Sequence, residues 1–231
     1  MEGLTSFAPN PTALVVGASG GIGAAFVRHL HGAGAQVIEA SRNGPVRIDY
    51  DAPETIPAAL TEIEALDIVL VATGLLHEDE AGPEKSMRAL DMDWMLRNHR
   101  VNAAGPLLVA AHALPKLKRD AKTCLAALSA RVGSISDNRL GGWHSYRMAK
   151  AALNMGLRNL AIEHARRWPD SVVCGLHPGT VDTDLSKPFQ RGVPTLLSPD
   201  ESARRLLDVI DGLTPTDTGG VFAHDGERIP A

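Results

Sequence analysis

Short apolar runs alternate with helix-like stretches along this 231-residue chain, and few folds accommodate that order. Residues 12–16, 36–40, 47–50, 67–73, 123–128, 171–176 and 220–224 read as seven strands. Residues 22–31, an Ala-, Leu- and Glu-rich segment before residue 67, and residues 84–96, 101–117, 146–168 and 200–210 carry helical periodicity. Strands that alternate with helices form βαβ units around a parallel sheet. The expectation is an α/β fold: one doubly wound domain over residues 1–231, with a mostly parallel, about seven-stranded sheet and helices on both faces. Residues 1–11 precede it as an N-terminal extension.

Charge and composition remove several classes of partner. A net charge of -4 provides no basic footprint for nucleic acid and no polybasic patch for a membrane surface. No apolar run approaches the length of a membrane span. Residues 1–10 have neither the basic start nor the apolar core of a secretory leader, so a cytoplasmic location is expected. Cys124 and Cys174 each sit inside an apolar strand, which favours buried free thiols over a disulfide. His29 and His31, two apart on a helix, point in different directions, and no metal site is expected.

Two motifs carry chemistry. Gly17-Ala-Ser19-Gly-Gly21-Ile22-Gly23 follows the first strand and opens a helix. Glycine permits a tight turn and close backbone approach, and a helix start offers unpaired N–H groups and a positive dipole end, which together suit a pyrophosphate. The Gly-x-x-x-Gly-x-Gly spacing is a relative of the dinucleotide fingerprint. The second motif is Tyr146 and Lys150, four apart on one helix face. A free phenol has a pKa near ~10, so only roughly one in a thousand is ionised at neutral pH, and a nearby cation favours the ionised form. Such a tyrosine serves as a general acid or base near neutrality.

Taken together, the motifs resemble the short-chain dehydrogenase/reductase family over essentially the whole chain. Asn102, in Arg100-Val-Asn-Ala-Ala-Gly-Pro106, occupies the place of the family's helix asparagine. His177-Pro178-Gly179-Thr-Val181-Asp-Thr183 resembles its Pro-Gly-x-Val-x-Thr loop, and segments 129–138 and 225–230 are similar to the C-factor and sniffer-like branch. The resemblance implies a Rossmann-like fold and a nicotinamide cofactor. Tyr146 would exchange a proton with the substrate oxygen. Lys150 would hold the nicotinamide ribose and lower the Tyr146 pKa, and Asn102 would anchor a water that relays protons from Lys150. Gly17, Ser19, Gly21, Ile22 and Gly23 would line the pyrophosphate side. Pro178, Gly179, Val181 and Thr183 would contact the carboxamide. A homo-oligomer, dimer or tetramer, is implied through the helices at 101–117 and 146–168.

The chain departs from the family at two places. Ala130 stands where the family's catalytic serine is placed, after Ser129, and Ser134 is the candidate stand-in. Val71-Ala-Thr-Gly74 replaces the usual Asn-Asn-Ala-Gly, leaving Gly74 for close approach to the cofactor. After the second strand, Ser41 and Arg42 take the position where a carboxylate would reject a 2′-phosphate. NADP(H) is therefore expected over NAD(H), with Asp49 near the adenine. The expected activity is carbonyl reduction or alcohol oxidation on a small molecule, with residues 184–198 as a substrate lid. The alternative is a cofactor-binding signalling protein with little turnover. The three-residue gap between Tyr146 and Lys150 disfavours an enoyl reductase, and too little chain follows Pro178 for a sugar-nucleotide epimerase.

Overall fold

In the computed structural model, which describes residues 4–78 and 81–231, seven strands form one sheet in the order β3-β2-β1-β4-β5-β6-β7. They are β1 (Thr12–Val16), β2 (Gln36–Ser41), β3 (Val46–Arg47), β4 (Ile68–Val71), β5 (Thr123–Leu128), β6 (Ser171–His177) and β7 (Val221–Ala223). Every pairing between them is parallel, where the sequence suggested only a mostly parallel sheet. The helices are α1 (Gly21–Gly32), α2 (Thr55–Thr61), α3 (Met92–His99), α4 (Gly105–Ala113), α5 (His144–His164) and α6 (Pro199–Gly212).

The central strands are apolar throughout because helices cover both faces. Val15, Ile68, Leu70, Ala126 and Cys174 pack with Phe26 and Leu30 of α1 and Leu206 and Ile210 of α6. Their strand neighbours Leu14, Val69, Val71, Leu125 and Val173 face the opposite way, onto Val109 of α4 and Leu153 and Leu157 of α5. Cys124 and Cys174 are buried and unbridged. Phe7 of the N-terminal extension is buried beneath Lys122, and Thr5 and Ser6 donate to the Asp211 carboxylate. Met1 to Gly3 of that extension, and Asp79 and Glu80 of the charged stretch, lie outside the described residues.

Three expected elements depart most from their expected bounds, while others shift at their ends, such as the strand expected at 67–73, which is Ile68–Val71, and the helix expected at 146–168, which is His144–His164. The helix expected at 84–96 begins only at Met92, where the Asp91 carboxylate accepts from the Trp94 N–H at 2.8 Å. Residues Met87–Ala89 form just a 3₁₀ turn. The stretch at 101–117 continues α3 as a π-helical turn (Arg100–Ala104), then α4, then a 3₁₀ turn (Leu114–Lys116). Pro106 has no N–H to donate to the carbonyl of Asn102, four residues back, so regular α pairing fails there. The strand expected at 47–50 stops after Arg47, because the Asp49 N–H donates to Thr55 Oγ1 and turns the chain.

The last turn of α5 is sensitive to acid. The His164 ring stacks on Trp168 at 4.5 Å, its Nε2 is buried without a hydrogen-bond partner, and the Arg119 guanidinium lies 4.1 Å from the Trp168 ring centre. Burial, then the Arg119 charge, lowers the His164 pKa to about 4. The unfolded chain binds this proton near pH ~6.5, so the stabilisation is full above that pH and is lost as pH falls towards 4. Stability to heat should fall across this window. His164→Phe should remove roughly 1–2 kcal/mol of the loss while leaving stability at pH 8 nearly unchanged.

Candidate active site

The strand order reverses between β1 and β4, which opens a crevice at the C-terminal strand ends. One end is the glycine turn. Gly17 has φ +84, and a Cβ there would stand 3.1 Å from the Ala72 backbone. The α1 N-terminus has no side-chain cap and no acidic residue in its first turn, so its N–H groups and dipole remain available to an anion. Gly21 passes under Thr183, whose methyl would lie 2.7 Å from an added Cβ. Gly23 serves differently. Its Cβ would fall 2.1 Å from the Gly17 carbonyl oxygen, so it closes the turn against the helix instead of lining the groove.

From this turn the groove runs past Ser19, Ser41, Arg42, Asp49, Thr73 and Gly74. Its acids are engaged. Asp49 pairs with Arg47 at 2.9 Å, which holds its carboxyl below the usual range. Arg97 of α3 bridges Asp51 at 2.8 Å and Glu78 at 2.7 Å. Arg42 is exposed at the mouth beside Ser41. Uncapped helix N–H groups, an exposed guanidinium and the lack of a carboxylate at the end of β2 fit a dinucleotide carrying an extra phosphate.

The other end is α5. Tyr146 and Lys150 line a cavity together with Ser19, Gly21, Ile22, Gly74, Pro178 and Thr183. Gly179 and Val181 line the adjoining cavity on the far side of Tyr146. Lys150 is almost sealed: its Nζ donates to the Leu128 carbonyl at 2.7 Å and lies 5.7 Å from the Tyr146 ring centre. Burial lowers the Lys150 pKa to about 7 and pushes the Tyr146 phenol up. Burial is the dominant influence on Tyr146 here, and its phenol stands above the usual value despite the neighbouring amine. The amine faces the ring and a carbonyl, and desolvation opposes both charges.

Neither candidate serine presents a free hydroxyl to Tyr146. Ser134 accepts from the Asp137 N–H at 3.1 Å, lies 3.5 Å from the Ala231 carbonyl and lines neither cavity beside Tyr146. Ser129 does border them, but its Oγ donates to Asn154 Oδ1 at 2.6 Å. The methyl of Ala130 stands in the wall beside Tyr146. Asn102 is fully buried and clamps the chain after β4, accepting from the Leu75 N–H at 3.0 Å and donating to its carbonyl at 2.7 Å.

Two further residues shape the site. Glu84 is buried, and its carboxylate accepts from the Ser145 N–H and hydroxyl at the start of α5. The one sequence signal is negative, since Gly142-Trp143-His144 offers no capping side chain. Trp143 sits edge-on to Tyr146 with ring centres 6.3 Å apart.

Burial of Lys150 has a measurable cost. Its folded pKa of about 7 lies below the unfolded value of 10.5, so the charge penalty is complete at and below pH 7 and vanishes as pH rises through 10.5. Lys150→Met keeps the apolar stem and removes the charge. It should stabilise the fold by roughly 1–3 kcal/mol at pH 7 in chemical denaturation, after allowing for the unpaired Leu128 carbonyl. Near pH 11 the gain should disappear.

Comparison with known proteins agrees with this architecture. The family model described as "Enoyl-(Acyl carrier protein) reductase" matches residues 43–206. A 1-hydroxy-2-glutathionyl-2-methyl-3-butene dehydrogenase from Rhodococcus sp. (strain AD45) is 36% identical over 228 residues, covering 92% of this chain and 96% of that protein. The C-signal of Myxococcus xanthus is 41% identical over 142 residues, 61% of this chain and 81% of it. A short-chain dehydrogenase/reductase from Burkholderia multivorans, solved with bound NADP, superposes with a TM-score of 0.80 at 27% identity, over 96% of this chain and 100% of that one. Sequence and fold agree across nearly the full length, and the chain belongs to the short-chain dehydrogenase/reductase family.

Proposed function

We propose that this protein is an NADP(H)-dependent oxidoreductase that interconverts a small carbonyl compound and its alcohol, with Tyr146 as the acid–base group. The observation that carries this reading is a single cavity bounded by the glycine turn at one end and by Tyr146 and Lys150 at the other. NADP, as in the Burkholderia relative, supplies the hydride chemistry when bound. The Rhodococcus relative, named as a dehydrogenase of a 1-hydroxy compound, favours the same reaction class.

The chain's own groups then have defined roles. Ser41 and Arg42 receive the extra phosphate, and the uncapped N–H groups of α1 receive the pyrophosphate. Burial keeps the Tyr146 phenol protonated, so it gives its proton to the substrate oxygen during reduction. As negative charge develops on that phenol, the Lys150 amine 5.7 Å from the ring centre gains reason to be charged, and its pKa of about 7 lets it take up a proton near neutrality. The Asn102 side chain is spent on Leu75, and its carbonyl lacks a helical donor from Pro106. That carbonyl is the group we assign to hold a relay water.

A second reading, a cofactor-binding signalling protein with little turnover, is favoured by Ala130 and by the likeness to the C-signal. Sustained NADPH oxidation with aldehydes separates the two readings, since a signalling protein would bind the dinucleotide without consuming it. Tyr146→Phe should reduce turnover about 100-fold or more while NADPH affinity stays within a few-fold, measured by fluorescence titration. Unchanged turnover in that variant would refute the acid–base role. Arg42→Ala should raise KM for NADPH roughly tenfold and leave KM for NADH unaltered, and equal effects on both would remove the case for phosphate recognition.

A further inference from the structure

Trp143 is one of two non-glycine residues among those described with a positive φ, at φ 50 and ψ 40. It follows Gly141 (φ 62) and Gly142 (φ 64), so three consecutive residues occupy left-handed backbone. For a bulky side chain this conformation costs free energy and persists only where its surroundings enforce it. Here the Trp143 N–H donates to the Glu84 carbonyl at 2.6 Å, while the Glu84 carboxylate grips the next turn through Ser145. The strain fixes the indole edge-on to Tyr146, and Phe189 of the 184–198 loop closes over it at 5.3 Å. Phe189 also packs on His77, whose Nε2 lies 3.2 Å from the Asp184 carbonyl.

The other walls of this cavity include Leu76, Val132 and Leu185 as well as the Ala130 methyl. Its two serine hydroxyls are engaged by the protein: Ser186 donates to the Val181 carbonyl at 2.5 Å, and Ser129 to Asn154. The Arg131 guanidinium is engaged by Glu227 at 2.5 Å and Asp137 at 3.4 Å. His177, Thr180 and Thr183 remain beside the Tyr146 hydroxyl, few polar groups for a polyhydroxylated substrate among walls that are mostly apolar. A polyol would leave its own hydroxyls unpaired in such a site, whereas a flat ring stacks well against aromatic edges.

We infer that Trp143, paired with Phe189, is the specificity-determining wall and that the substrate is a planar apolar carbonyl compound, aryl or conjugated. The inference rests on the acid–base role of Tyr146, and the test keeps the two apart. NADPH oxidation is followed with benzaldehyde and with D-glyceraldehyde for the wild type, Trp143→Asn, Phe189→Leu and Tyr146→Phe. Asparagine tolerates left-handed backbone, so the first variant removes the ring without adding strain. The wild type should favour benzaldehyde in kcat/KM, and each wall variant should reduce that preference roughly tenfold, chiefly through KM, with NADPH affinity unchanged. A wild-type preference for glyceraldehyde, turnover of neither aldehyde, or an equal loss for both in the wall variants would overturn the inference. So would an unaltered ratio in those variants alongside an inactive Tyr146→Phe. Full activity in Tyr146→Phe would instead remove the underlying mechanism.

Discussion

The arrangement of this protein depends on one desolvated amine. Lys150 enters the interior from α5 and ends on the Leu128 carbonyl at the tip of β5. The base of its side chain is packed tightly: a Cβ on Gly133 would stand 2.8 Å from the Lys150 Cβ. An ammonium in that position is disfavoured unless negative charge forms nearby. The group that can supply such charge is the phenol one helical turn earlier. In the proposed mechanism, stability is sacrificed locally for a proton-handling pair, which the fold holds beside the crevice at the C-terminal strand ends.

The segment after β4 acts as the shared anchor of the crevice. Leu75 is clamped by Asn102 from the π-helical turn, and Glu78 is held by Arg97 from α3. His77 meets the 184–198 loop, and Glu84 caps α5. Four elements therefore converge on Leu75, His77, Glu78 and Glu84. A shift in this loop would reach the groove, the loop over the cavity and the start of α5 together, because each is tied to it by a direct hydrogen bond or ion pair.

The parallel sheet, its approximate strand bounds and the helix carrying Tyr146 and Lys150 are legible in the sequence because apolar periodicity and glycine spacing are local signals. Gly17, Ser19, Gly21, Ile22, Ser41, Arg42, Asp49, Gly74 and the 178–183 loop do border the crevice. Ser134 lies elsewhere because the direction of a loop side chain depends on what it meets, here the C-terminal Ala231. Glu84 escapes a sequence reading because it caps a helix 61 residues away, and no spacing rule connects the two. The raised Tyr146 phenol is not legible because i, i+4 proximity is visible in sequence, whereas desolvation is visible only once neighbours are in place.

The π-helical turn between α3 and α4 has a bearing on how this segment tolerates change in length. Each residue turns an α-helix by about 100°. Removing or adding one residue between Met92 and Ala113 would swing Val109, Ala110 and Ala113 off the sheet and turn the exposed Leu108, Ala111 and His112 towards it. Substitutions spare that angular phase; indels do not. The rod is therefore indexed by residue count, and its wide turn is the register mark that keeps Asn102 facing Leu75 while α4 faces the core.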